Sequence, residues 1–160
     1  MFNPSVNIGL GQDEIGEFVN DNIIKSLAST TRADRPLFLK TPFNGPKALE
    51  ELATFDSELI VGVLGGGAGT TRDTFELVHQ AEKYGARLAL FGRKINLAEA
   101  PLDLLVLLRE VANGSVEPEE AVRAYHGELQ RLGIKPARTI EDDTRITEEV
   151  LKPAAKLRAV

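Results

Sequence analysis

A lysine, a glycine-rich loop and an arginine stand at the ends of three successive apolar runs. Lys40 closes Pro36-Leu37-Phe38-Leu39, and the turn sequence Thr41-Pro42-Phe43-Asn44-Gly45-Pro46 follows at once. Leu59-Ile60-Val61-Gly62-Val63-Leu64 ends in Gly65-Gly66-Gly67-Ala68-Gly69-Thr70-Thr71, and Arg87-Leu88-Ala89-Leu90-Phe91 ends in Gly92-Arg93-Lys94. An amine, glycine N–H groups and a guanidinium at equivalent strand ends describe a phosphate-binding site with an amine beside it.

Each group has a plain alternative. An ammonium at the end of a buried strand is costly, so Lys40 either reaches solvent along its own stem or performs a task. The task that suits it is imine formation, because burial or neighbouring cations free a lysine amine as a nucleophile. The glycine run is either a tight turn needing positive φ or an anion cradle at a helix start. Four glycines in five positions exceed what one turn requires, and the loop is neither a Walker A sequence nor a dinucleotide fingerprint. Arg93 is either a surface arginine or, paired with the glycine loop, a bidentate phosphate clamp.

These residues need elements to hold them. Apolar spacing predicts a helix over Asp13–Ser29, capped by Gln12 or Asp13 after the breakers Gly9 and Gly11. Strands are expected at 36–40, 59–64 and 87–91. Between them lie a short helix from Pro46 to Leu52 and one from Thr70 or Thr71 to Tyr84, with Gly85 at its end. A leucine-rich helix over Pro101–Ala112 is wide enough in its apolar stripe to pack on more than one neighbour, and Pro118 to Leu132 forms another. The alternation is the parallel βα pattern of an α/β fold. Strand starts at 36, 59 and 87 fit the roughly 31 residues per unit of a (β/α)8 barrel, although three strands close no barrel. The reading is therefore a partial TIM barrel of about three βα units. It has an N-terminal helical segment (1–35), the βα units with a final helix (36–132) and a polar C-terminal tail (133–160).

Composition narrows the function. The chain has 160 residues, 42% hydrophobic and 27% charged, with net charge -5, which argues against a duplex nucleic-acid binder. There is no cysteine and only His79 and His126, so no metal centre and no metal cofactor are expected. Both histidines read as structural, and the acidic clusters Glu141-Asp142-Asp143 and Glu148-Glu149 as a solvated tail. No stretch is apolar for long enough to cross a bilayer, and the first residues lack a secretion signal's pattern, so a cytoplasmic protein is expected.

The three strand ends together resemble the last three of the class I (Schiff-base) aldolases, of the archaeal fructose-bisphosphate aldolase type, with deoxyribose-phosphate aldolases more distant. Phe38-Leu39-Lys40-Thr41 is similar to the lysine strand. Leu64-Gly65-Gly66-Gly67 with Thr74-Phe75, and Phe91-Gly92-Arg93-Lys94-Ile95-Asn96, are similar to the two phosphate loops. The resemblance covers residues 36 to 112. Lys94 stands where the family usually has asparagine. The resemblance implies a lyase that makes or breaks carbon–carbon bonds of a phosphorylated sugar, without a cofactor. Lys40 would be the imine-forming residue, and Gly65, Gly66, Gly67, Gly92 and Arg93 the phosphate site. It also implies that the family's first five strands are missing, so a longer barrel or a homo-oligomer is expected. The competing readings are a phosphometabolite-binding α/β module without chemistry, and a barrel enzyme of another chemistry.

Overall fold

The computed structural model describes residues 11–67 and 69–152. The expected breaker Gly9, Ala68 of the glycine run and the last eight residues of the tail lie outside the described residues. Helix α1 spans Gln12–Ala28 and is followed by a 3-10 turn at Arg32–Asp34. Strand β1 (Phe38–Thr41), α2 (Pro46–Phe55), β2 (Ile60–Leu64), α3 (Thr71–Lys83) and β3 (Leu88–Leu90) come next. They are succeeded by a one-turn α4 (Arg93–Asn96), α5 (Pro101–Ala112), α6 (Pro118–Arg131), a one-turn α7 (Ile140–Asp143) and a 3-10 turn at Glu149–Leu151. Neither expected cap of α1 is used. The chain enters at Gly11, whose N–H donates to the Glu14 carboxylate at 2.8 Å, one turn on.

The protein is α/β, built on an open three-stranded parallel sheet in the order β1-β2-β3. Lys40 pairs with Gly62, and Gly62 with Leu88, so all three strands run the same way and end at one edge. Val61 and Val63 point into a first core, where Leu49 and Leu52 of α2 and Leu77 and Ala81 of α3 cover them. Phe75 and Val78 of the same α3 belong to a second core with Leu104 and Leu108 of α5 and Val122, Tyr125 and Leu129 of α6. One helix thus joins the sheet layer to the helical layer. Side chains alternate along a strand, so Phe38, Ile60, Leu64, Leu88 and Leu90 share the opposite face with Lys40. None of them belongs to either core, and Phe38 is 50% exposed.

The tail was expected to be polar and solvated, and Glu141, Asp142 and Glu149 are indeed exposed, but the segment as a whole is packed down. From Thr139 to Leu151 it folds back over the start of α3, with Asp143 buried and Leu151 inside the first core. Hydrogen bonds to α3, described below, explain why so polar a segment packs down. The leucine-rich α5 contacts α3, α4 and α6, as its wide stripe implied, yet Leu102, Leu105 and Val106 remain exposed. No helix among the described residues is long and apolar enough to cross a membrane.

Candidate functional site

Parallel strands bring the loops after β1, β2 and β3 to the same edge of the sheet. Lys40 lies on the uncovered face near that edge, and its side chain is exposed rather than enclosed. The physical reason is its place: β1 is an edge strand, and among the described residues none of the core packs on the face it shares with Gly62. Among the described residues the Lys40 side chain has no hydrogen-bond or ion-pair partner.

The three glycines after β2 have separate reasons to be glycine. A Cβ on Gly65 would stand 2.9 Å from the Phe91 ring, so Gly65 makes room for packing. Gly66 turns with φ +65°, where a side chain is strained, and both it and Gly67 face open space. Arg93 reaches across from the next loop and donates through Nη2 to the Gly66 carbonyl at 2.9 Å. Gly92 precedes α4, and its carbonyl accepts from Ile95 and Asn96. Of the residues singled out from sequence, the structure joins the glycine loop to Arg93. It places Lys40 on the same edge, with no hydrogen bond to either among the described residues.

The start of α3 was expected to offer its N–H groups and dipole to an external anion. It is occupied instead by the protein's own carboxylates. Thr70 caps the helix, accepting from the Asp73 N–H at 3.1 Å, while Asp73 accepts from the Thr70 N–H at 3.0 Å. The Thr71 N–H donates to Asp143 at 2.8 Å, and Asp143 also meets His126 Nε2 at 2.9 Å. Asp73 is fully buried and accepts further bonds from the N–H and hydroxyl of Thr147 and from the N–H of Glu148. Burial pushes its carboxyl up, but these bonds outweigh that and hold it below the usual carboxylate range.

Lys94, next to Arg93, has a fully enclosed side chain and pairs with Glu148 at 2.9 Å. Between the α3 start and α4 lies a cavity of about 50 Å³, lined by Gly69, Thr70, Thr71, Arg93, Lys94 and Arg138 among others. Tyr125 also lines it. Desolvation pushes the Tyr125 phenol up to about 12, against the N–H it accepts from Ala100. Among the described residues no group of histidines and carboxylates could hold a metal ion.

Sequence reasoning missed Asp73, Asp143, Thr147 and Glu148. The pattern Thr70-x-x-Asp73 was a readable capping box, and Thr139-x-x-Asp142 repeats the spacing with half of the bonding, Thr139 Oγ1 accepting from the Asp142 N–H. Neither told which distant segment would dock. No family model, curated protein or solved structure matches the chain.

Proposed function

We propose that the edge carrying Lys40, the 65–67 loop and Arg93 is a phosphosugar site in which Lys40 adds to the substrate carbonyl. The observation that carries the reading is the Arg93–Gly66 bridge beside a lysine on the open sheet face. The N–H groups of an open glycine turn and a planar guanidinium suit a phosphate, and an amine one strand away suits the carbonyl of the same small molecule. In the reaction, Lys40 Nζ attacks the carbonyl carbon and the resulting carbinolamine loses water to give an iminium. The bond between the α and β carbons then breaks as the β-hydroxyl gives its proton to water, so that fragment leaves as an aldehyde and the electron pair passes into the iminium to leave an enamine. Protonation and hydrolysis of the enamine return the lysine.

The same reading takes the three βα units as an arc of a (β/α)8 barrel. A sequential strand order with α2 and α3 on one face suits a barrel wall, whose inner face is filled by side chains from other strands. Strands from a longer chain or from a second copy would cover Lys40 and keep water from its amine. The exposure of Lys40 favours one alternative for the chain by itself: a phosphometabolite-binding module in which the lysine supplies only charge.

Reductive trapping tests the proposal. The protein is incubated with dihydroxyacetone phosphate, reduced with borohydride and mapped by mass spectrometry. The expected result is one adduct, on Lys40, lost in Lys40→Arg, while Arg93→Ala weakens phosphate binding about tenfold. Phosphate binding with no adduct establishes the binding module. Adducts scattered over exposed lysines remove Lys40 from any special role.

A further inference from the structure

The tail that the sequence left without a task touches both loops of the candidate site. The Arg145 carbonyl accepts from the Thr70 hydroxyl at 2.8 Å, and Asp143 accepts from the Thr71 N–H. Thr147 and Glu148 donate to Asp73, the residue that caps the α3 start from within. Glu148 then turns its carboxylate to Lys94, which belongs to the other loop. A Cβ added to Gly69 would meet Asp73 at 2.9 Å and Glu148 at 3.3 Å, so the segment lies tightly against the glycine loop's backbone.

We propose that residues 139–151 form a strap that sets the two candidate anion loops in one frame, with Glu148 positioning Arg93 and Thr147 positioning the glycine loop. The enclosed Lys94 ammonium needs its counter-charge, because a buried charge without one is strongly unfavourable. Fixing Lys94 fixes the backbone of its neighbour Arg93, whose guanidinium reaches the Gly66 carbonyl. Thr147 acts from the other side: it anchors Asp73, which holds the Thr70 N–H and hence the exit from the glycine turn. Lys94, the residue that departs from the aldolase-like pattern, thereby gains a role. Only the anion-binding part of the test rests on the function proposed above.

Amide exchange and inorganic phosphate titration of the whole chain test the strap together. In Glu148→Gln, exchange at 65–71 and 92–97 should rise about tenfold while α2 stays as in the wild type. Phosphate affinity should fall by about tenfold, since a loop that must be ordered on binding weakens it. Glu148→Asp should restore most of both effects, a rescue that loss of bulk stability alone does not give. Thr147→Val should quicken exchange at 65–71 only, and it carries the test if Glu148→Gln fails to fold. Unchanged exchange in both loops, or a uniform rise that includes α2, overturns the strap. If the wild type binds no phosphate but exchange responds as described, the strap stands and the phosphate site falls.

Discussion

Asp73 concentrates at one carboxylate the link between the start of α3 and residues some 74 positions later. Its folded pKa lies below its unfolded value, near 3.9, so its contribution is complete above that value and is lost as pH falls through the folded pKa. Asp73→Asn keeps the shape but removes the charge and one pair of acceptor sites. The expected cost at neutral pH is about 3 kcal/mol, in the range for buried hydrogen bonds to a charged group. Urea unfolding of both proteins from pH 7 down to pH 3 measures it. The gap between them should narrow below about pH 4, where the carboxylate of the unfolded wild-type chain takes up a proton while the folded one, held lower, is still ionised. A gap constant with pH would mean that packing, not charge, makes Asp73 matter.

Elements were legible where local chemistry decides them. Prolines at the first helical positions of α2, α5 and α6 marked those starts, and apolar runs marked the strands. Gly85 marked the end of α3: its φ is +94°, and the Ala86 N–H closes onto the Ala81 carbonyl at 2.8 Å. A Cβ there would also stand 2.7 Å from that of Ala53 on α2. Gly85→Ala should therefore cost about 2–4 kcal/mol, combining left-handed strain with overpacking, and lower the thermal midpoint without abolishing cooperativity. A loss under 0.5 kcal/mol would show that α2 and α3 can part at no cost. The site was less legible. Phe38 and Leu39 are both apolar, so alternation could not say which face of β1 is covered, and Lys40 fell on the open one. The strap has no periodicity because its anchors are hydrogen bonds to residues far away in sequence, which no local pattern records.

For the whole molecule, the uncovered sheet face is the dominant physical fact. Phe38 and Leu88 are exposed on it, β1 and β3 each leave an edge unpaired among the described residues, and α5 adds Leu102 and Val106. Open edges beside apolar surface favour association. Sedimentation should find species heavier than one chain at micromolar concentration, and Phe38→Ser with Leu88→Ser should shift them toward a monomer without lowering the melting temperature. A wild-type protein that sediments as a monomer with a sharp melt would retire the idea that this face needs a cover. Distance along the chain has a consequence of its own during translation. When Asp73 leaves the ribosome, Thr147 has yet to be synthesised, so the nascent polypeptide carries an acidic side chain whose later partners do not exist. The stretch that emerges later therefore acts as a latch on work already done, closing a long loop at an entropic cost that rises only slowly with its length.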